Sequence, residues 1–194
     1  MDVKWGASNQ PKQGQEISGD AYVIEPFSPD GLAVSLIDGL GGGAAAAHAA
    51  QSAAAVIRSA PAQDPVELIR RSHLALRGTR GAVMALFSYN LQHRSVSFVG
   101  VGNIGVQVYS AVPIKPISKN GIVGYRLPSL LKLAYSYHPG DVFVLYTDGV
   151  SSDFVHDIDP QGSEDPQSLA ENILRRYAKG HDDASVVVVR INGQ

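Results

Sequence analysis

Two strand-like segments, Asp20 to Phe27 and Gly31 to Asp38, flank the short connection Ser28-Pro29-Asp30, which is rich in turn-forming residues. If the predicted hairpin pairs symmetrically about the middle of this connection, Asp20 lies directly opposite Asp38. Opposite residues in an antiparallel pair have Cβ atoms roughly 4.5 to 5.5 Å apart, and like charges there are destabilising unless something neutralises them. The hairpin therefore predicts a cation site. The alternative is that one aspartate caps a turn while the other is solvated at a strand end.

A second acidic pair is predicted in the C-terminal part of the chain. Asp148 ends the strand-like segment Asp141 to Thr147, and Asp182 precedes the apolar run Val186 to Val189. If these two strands are antiparallel neighbours joined by a helical crossover, both carboxylates lie at one edge of a sheet. Two such pairs from two sheets would meet at one end of a sandwich. An all-oxygen cluster of this kind suits magnesium or manganese better than zinc or copper.

The composition narrows the classes of protein to which this chain can belong. With 194 residues, 44% of them hydrophobic, we expect a single domain spanning residues 1–194. The formal net charge of -2 predicts binding to neither nucleic acid nor membrane surfaces. The lack of cysteine excludes thiolate nucleophiles, disulfides and sulfur-based metal sites. No signal-peptide segment and no apolar run of roughly 18 residues is present, so we expect a soluble, cytoplasmic protein.

Helix signals and strand signals alternate along the chain. A glycine-rich turn, Gly39 to Gly43, leads into an alanine-rich helix from Ala44 to about Ser59, and Asp64-Pro65 and Asp165-Pro166 open two more helices. Hairpins sandwiched between helices predict a layered α/β (α+β) fold with mainly antiparallel sheets. We expect a loop from Ser118 to Leu133, where glycine and proline interrupt any period. The other predicted strands are Ala82 to Asn90, Ser95 to Val101 and Ile104 to Ser110.

Two glycine motifs have competing interpretations. Gly100-x-Gly102-x-x-Gly105 matches the dinucleotide-binding fingerprint by letter, but a strand-like alternation follows it where the fingerprint needs a helix, so we expect a hairpin. Gly41 to Gly43 could bind an anion through free backbone amides at a helix start, and tight packing is the alternative.

Five motifs follow one another along the chain. They are Ser18-Gly19-Asp20, Asp38-Gly39-Leu40-Gly41-Gly42-Gly43, Gly100-Val101-Gly102-Asn103, Tyr146-Thr147-Asp148-Gly149-Val150-Ser151 and Asp182-Asp183-Ala184-Ser185. Together they resemble the metal-dependent protein phosphatase superfamily, of the protein phosphatase 2C type, over nearly the whole chain. In its compact length and in its departures from the family pattern, the chain most resembles the bacterial stress-response branch, particularly the RsbX-type phosphatases that act on stressosome proteins.

The resemblance implies a fold and a set of roles. The fold is a four-layer α-β-β-α sandwich, in which two antiparallel sheets are flanked by helices. Asp38 would bridge two Mn²⁺ or Mg²⁺ ions, and Gly39 would offer its carbonyl to one of them. Asp148 and Asp182 would hold the other ion, and Asp20 would bind a metal or its water shell. Asp38, Asp148 and Asp182 are thereby the implied catalytic residues.

Several positions depart from the family pattern. Leu40 stands where many members have histidine, which leaves the departing serine oxygen without an evident proton donor. Asn103 stands where aspartate is common, and Gly19 replaces an acidic neighbour. Asp183 replaces a common asparagine, and we expect it to support the metal ligands rather than bind a metal itself.

Lys12 and two histidines are weaker candidates for the site, and a third histidine is predicted to lie in the core. Lys12 could steer a phosphate as a basic residue does in relatives, and a solvated loop lysine is the alternative. His48 and His181 are placed where they could approach the acidic cluster. His73 falls on an apolar helical stripe, as a core residue would.

The sequence thus predicts a phosphoprotein phosphatase that depends on manganese or magnesium and removes phosphate from serine or threonine through a metal-bridging hydroxide. The resemblance implies phosphorylated STAS-domain proteins of a bacterial stressosome as substrates, and we expect a monomer. The rival hypothesis is a regulatory or binding module that keeps the fold but has lost turnover.

Overall fold

The computed structural model describes residues 2–162 and 164–193, in which nine strands and four helices are found. The strands are β1 (Asp2–Gln10), β2 (Asp20–Phe27), β3 (Gly31–Gly39), β4 (Ala82–Asn90), β5 (Ser95–Val101), β6 (Gly105–Tyr109), β7 (Leu133–Ser136), β8 (Val142–Tyr146) and β9 (Ala184–Asn192). The helices are α1 (Gly43–Ser59), α2 (Pro65–Ala75), α3 (Phe154–Asp157) and α4 (Pro166–Tyr177).

The strands form two antiparallel sheets. One has the order β1-β9-β8-β6, and the other has the order β2-β3-β4-β5-β7. The facing sides of the two sheets bury one apolar cluster that includes Leu36, Phe87, Phe143 and Val187. This confirms the predicted sandwich of mainly antiparallel sheets.

Helices cover both outer faces of the sandwich, so the layers run α-β-β-α. Helices α1 and α2 pack on the β2–β3–β4–β5 face, and α3 and α4 pack on β8 and β9. The alanines of α1 that face the sheet are fully buried, which brings the helix backbone close to β3. None of the helices in these ranges is both long and apolar enough to cross a membrane.

The predicted helix starts have the expected capping bonds. The Asp64 carboxylate accepts a hydrogen bond from Val66 N at 2.9 Å at the start of α2. Asp165 accepts from Gln167 N and Ser168 N at the start of α4. A side-chain cap of this kind contributes about 1 kcal/mol to helix stability because it satisfies otherwise unpaired amides.

The structure corrects the sequence interpretation in three places. Strands β1 and β7 were not predicted, because β1 holds polar and small residues and β7 is only four residues long. The predicted loop from Ser118 to Leu133 contains isolated bridges, and its last residue starts β7. His73 is only half-buried and is not a core residue, because its Nδ1 accepts a hydrogen bond from Gly124 N at 3.0 Å.

The glycine motif at 100–105 leads into strand β6, as the alternation predicts. A dinucleotide-binding fingerprint requires a helix whose N-terminus faces the pyrophosphate, so the structure does not support that alternative.

Candidate functional site

Three of the predicted site residues line one cleft at the end of the sandwich. Asp38 lies near the end of β3, Asp148 follows β8 and Asp182 precedes β9, so each of the two sheets contributes carboxylates. The cleft has a volume of about 490 Å³. Its other lining residues are Lys12, Leu40, Gly41, Gly42, Val83, Asn103 and His181.

The β2–β3 register places Asp20 directly opposite Asp38, as the hairpin symmetry predicts. Asp20 is not among the residues that line the cleft, and it is only 4% exposed. Its Oδ2 accepts hydrogen bonds from Thr147 Oγ1 at 2.9 Å and from Ser185 Oγ at 2.8 Å. Its Oδ1 is buried without a hydrogen-bond partner among the described residues. An orphaned buried carboxylate oxygen is costly, so this atom calls for a cation or a proton.

The electrostatics of the hairpin pair favour the neutral carboxyl over the carboxylate. Burial raises the pKa of Asp20 to about 6, although the hydrogen bonds from Ser185 and Thr147 lower it. Burial also raises the pKa of Asp38 to about 8, and repulsion from neighbouring carboxylates adds to the rise. These neighbours are Asp20, Asp148, Asp182 and Asp183. The pair therefore favours any bound cation that can balance the accumulated charge.

Asp183 ties three segments together beneath the cleft. It is only 4% exposed, and its two oxygens accept from Lys12 N and from Gly19 N, each at 2.9 Å. A Cβ atom on Gly19 would lie only 2.8 Å from Asp183 Oδ2, so the lack of a side chain at Gly19 lets the Asp183 carboxylate come this close to the backbone. Such a carboxylate orients backbone segments that carry other site residues.

The Gly39 backbone lies against helix α1. A Cβ atom on Gly39 would lie 2.1 Å from Ala46 O, which no side chain could tolerate. Gly39 N donates to Gly19 O at 3.1 Å, which links the two strands of the hairpin beyond the aspartate pair. Gly41, with φ of 90°, then turns the chain into α1. In the stretch Gly39 to Gly43, Gly39 thus allows tight packing against α1, and Gly41 allows the turn that precedes the helix.

Asp148 is exposed and is held from two sides. Its Oδ2 accepts a hydrogen bond from Asn103 Nδ2 at 2.9 Å. Its backbone carbonyl accepts from Lys179 Nζ at 2.6 Å, and Lys179 N donates to Gly149 O at 2.9 Å. The loop after β8 is therefore fixed although its aspartate side chain faces solvent.

Two of the weaker candidates line the cleft and one does not. Lys12 Nζ lies 2.6 Å from the position that a Cβ atom on Gly42 would take, which places a positive charge at the glycine-rich wall. His181 also lines the cleft, whereas His48 is exposed on α1 and is not among the lining residues.

Sequence reasoning missed the polar residues that support the aspartates. Thr147 and Ser185 are fully buried; Thr147 directly follows the apolar strand β8, and Ser185 directly precedes the apolar run Val186 to Val189. Their position next to buried strands was the available signal, because a buried hydroxyl needs a hydrogen-bond partner. The role of Lys179 had no signal in the sequence.

The donor set fits a hard divalent cation, although it does not form a closed cage. Within residues 2–162 and 164–193, no group of three or more histidine or acidic side chains is already arranged around one point. The fit rests instead on the chemistry: carboxylate oxygens only, one of them orphaned on Asp20, and a raised pKa on Asp38. Small movements of exposed carboxylates such as Asp148 would be needed to close the site.

Comparison with known proteins identifies the family and the fold of this chain. The family model for stage II sporulation protein E (SpoIIE) matches residues 28–192. A comparison with characterised protein sequences found no match. One similar structure, described with the words "The bacterial stressosome: a modular system that has been adapted to control secondary messenger signaling", has a TM-score of 0.90 and 30% identity. The similarity covers 98% of this chain and 100% of that chain.

Two more distant structures show the same fold. RsbX in complex with magnesium has a TM-score of 0.86 and 21% identity, covering 98% of this chain and 96% of that chain. The PP2C phosphatase domain of SpoIIE from Bacillus subtilis, solved with a fragment of its regulatory domain, has a TM-score of 0.77 and 22% identity. That similarity covers 100% of this chain and 64% of the other. The fold is therefore that of the protein phosphatase 2C domain.

Proposed function

The chain belongs to the stage II sporulation protein E (SpoIIE) family of phosphatase domains, and from that premise we propose that it is a metal-dependent protein serine/threonine phosphatase. We propose further that its 194 residues form one catalytic domain that acts in the cytoplasm. The observation that carries the proposal is the convergence of Asp38, Asp148 and Asp182 on one cleft from two different sheets.

The proposed metal ligands follow from the positions of the acidic side chains. Asp38, Asp148 and Asp182 would hold two Mn²⁺ or Mg²⁺ ions, and the Gly39 carbonyl and Asp20 would add further oxygen ligands. When bound, such ions would act as Lewis acids that activate water for attack on phosphorus. The complex of RsbX with magnesium supports this assignment by similarity of fold.

The remaining residues bind and orient the phosphoester. Lys12 brings a positive charge to the wall formed by Gly41 and Gly42, where it would bind phosphate oxygens. Asp183 holds the backbone of Lys12 in place. Attack of water on phosphorus breaks the phosphorus–oxygen bond of phosphoserine and releases serine and inorganic phosphate. Leu40 offers no proton to the departing oxygen, so that proton must come from solvent or from the activated water.

The proposed substrates are phosphorylated STAS-domain proteins of a stressosome. The support is the 30% identity with a structure whose description concerns the bacterial stressosome, together with the shared fold of RsbX. Phosphoserine in a protein is compatible with an open cleft whose carboxylates lie at the end of the sandwich.

The rival function is a phosphoprotein-binding module without turnover. The observation that favours it is the open arrangement of the acidic side chains, none of which form a closed three-ligand group in the described residues. Binding of a phosphopeptide without release of phosphate would support this rival.

The test is hydrolysis of an aryl phosphate with and without manganese. We expect manganese-dependent release of phosphate that is abolished in Asp148→Asn while the variant stays folded by circular dichroism. Asp30→Asn is the control, because Asp30 is an exposed carboxylate in the turn between β2 and β3, at the opposite end of that hairpin from Asp20 and Asp38. Equal activity in excess chelator, or full activity in Asp148→Asn, would overturn the proposal.

A further inference from the structure

The charges of this chain are strongly segregated along its sequence. Residues 68–140 contain no aspartate or glutamate, although the chain has 18 acidic residues in all. The same stretch contains more than half of the 16 lysines and arginines. Because the net charge of the whole chain is only -2, this basic stretch is offset by acidic residues elsewhere, including those of the cleft.

Part of the basic stretch forms a groove, which we call the 120–128 groove. It has a volume of about 620 Å³, and all of its lining residues fall between Asn120 and Pro128. Arg126 is exposed at its wall, and Tyr125 is 81% exposed. Ile122 and Leu127 add apolar surface. The groove thus combines a positive charge, an exposed aromatic ring and apolar walls, which is a composition typical of protein-binding surfaces.

The 120–128 groove is separated from the acidic cleft only by residues 80–81. A terminal nitrogen of Arg80 lies 2.3 Å from the position that a Cβ atom on Gly41 would take, so its guanidinium borders the cleft. The next residue, Gly81, accepts a hydrogen bond from Leu40 N at 3.0 Å. Gly81 also lies against the 120–128 groove, because a Cβ atom on Gly81 would lie 2.8 Å from Ile122 Cγ2. Residues 80–81 therefore separate the two depressions by the width of one chain segment.

Hydrogen bonds fix the groove to the sheet and, through the bond from Gly124 N to His73 Nδ1, to α2. Ala82 and Val123 exchange backbone bonds at 2.9 and 2.8 Å. Lys119 N donates to Gly100 O at 3.0 Å, and Gly102 N donates to Lys119 O at 2.9 Å. A segment that is already held in place loses little conformational entropy on binding a partner, which favours its use for recognition.

We propose that the 120–128 groove, together with Arg80 and Lys119, binds an acidic segment of the phosphoprotein next to the phosphoserine. This inference rests on the proposed phosphatase function and adds a preference for substrates with glutamate or aspartate beside the phosphorylated residue. The phosphoserine occupies the cleft while its acidic flank crosses Arg80 and lies along the groove. Opposite charges across this surface orient the substrate and exclude partners with basic flanks.

Nucleic acid is a poorer fit to the same surface. The groove is short, and Ile122, Leu127 and Pro128 make part of its wall apolar. Sequence-independent binding of nucleic acid needs a longer basic track that follows the backbone.

The test compares three phosphopeptides of equal length that carry glutamate, alanine or lysine on both sides of one phosphoserine. We expect kcat/KM for the glutamate peptide to exceed that for the alanine peptide by about fivefold at low salt, and the preference to shrink at high salt. Lys119→Gln combined with Arg126→Gln should remove the preference, and Arg126→Glu should shift it toward the lysine peptide. Arg94→Asn should keep it, because Arg94 is an exposed basic residue of the same stretch in the turn between β4 and β5.

Binding without turnover separates this inference from the proposed activity. Fluorescence anisotropy with the unphosphorylated glutamate peptide should show binding that Arg126→Glu weakens, whether or not the protein hydrolyses phosphate. If aryl phosphate is hydrolysed but the three peptides are bound and cleaved equally, the docking inference is wrong and the phosphatase proposal stands. If acidic peptides bind through Arg126 but no phosphate is ever released, the docking surface stands and the phosphatase proposal is wrong. Tighter binding of a short oligonucleotide than of the glutamate peptide would overturn the docking inference.

Discussion

Asp20 and Asp38 are register partners across the β2–β3 hairpin, and both are held in surroundings that disfavour their charged forms. The hairpin turn fixes this opposition, so neither carboxylate can avoid the other without breaking strand pairing. Two hydroxyls satisfy one oxygen of Asp20, and its other oxygen has no hydrogen-bond partner among the described residues. Without a bound cation, ionising both carboxylates therefore costs free energy.

The first prediction concerns the pH dependence of stability without metal. The pKa of Asp20 is raised from 3.8 to about 6, and that of Asp38 from 3.8 to about 8, in the folded state. A carboxyl whose pKa is raised by folding stabilises the fold below its unfolded pKa, and this contribution is lost as the pH rises through the folded value. In excess chelator we expect stability to fall between about pH 4 and pH 8 by a few kcal/mol. Thermal unfolding should then show a drop of about 5–10 °C.

Manganese should flatten this profile, since bound cations replace the protons. The control is Asp38→Asn, which removes the charge with the most strongly raised pKa. In chelator at pH 8 we expect this variant to unfold at a higher temperature than the wild type, although it should be inactive. Parallel pH profiles with and without manganese would contradict the prediction.

The second prediction concerns Thr147, which is fully buried between the two sheets' acidic ends. Its hydroxyl donates to Asp20 Oδ2 and accepts from Ser185 N, each at 2.9 Å. Thr147→Val removes both bonds and leaves buried polar atoms unpaired, so we expect a loss of about 1–3 kcal/mol in the free energy of unfolding. Because the hydroxyl also lowers the pKa of Asp20, its loss should weaken manganese binding at neutral pH.

Denaturant unfolding measures the loss of stability in Thr147→Val, and calorimetric titration with manganese measures its weaker metal binding. Thr147→Ser is the matched control, because it keeps the hydroxyl and should retain most of the metal affinity. A Thr147→Val variant that binds manganese like the wild type would show that Thr147 has only a structural role.

Much of the site geometry followed from local patterns in the sequence. The Asp20–Asp38 opposition could be predicted because a hairpin register is set by its own turn, within 20 residues of sequence. The placement of Asp148 and Asp182 needed only the assumption that β8 and β9 are antiparallel neighbours, which the structure confirms.

Contacts between distant segments could not be predicted in this way. The bond from Thr147 to Asp20 joins residues 127 positions apart, and the bond from Gly19 to Asp183 joins residues 164 positions apart. Which residues meet in this way depends on how the two sheets pack on each other, and the hydrophobic periodicity of the sequence carries no information about that packing. The strand β1 was missed for a similar reason: it is ordered by pairing with β9 and not by an apolar pattern of its own.

The third prediction concerns Asn103, whose amide donates to Asp148 Oδ2 at 2.9 Å. Asn103→Asp replaces this donor by a second carboxylate at the mouth of the cleft. Without metal, repulsion between the two exposed carboxylates should cost about 0.5–1 kcal/mol of stability at neutral pH. With manganese, the added carboxylate is a further oxygen ligand, so we expect the dissociation constant to fall by about tenfold.

Asn103→Ala is the control, since it loses the hydrogen bond without adding charge and should bind manganese no more tightly than the wild type. Manganese titration of all three proteins by calorimetry measures the difference, and equal weakening in Asn103→Asp and Asn103→Ala would show that the amide donor, and not the local charge, sets the affinity.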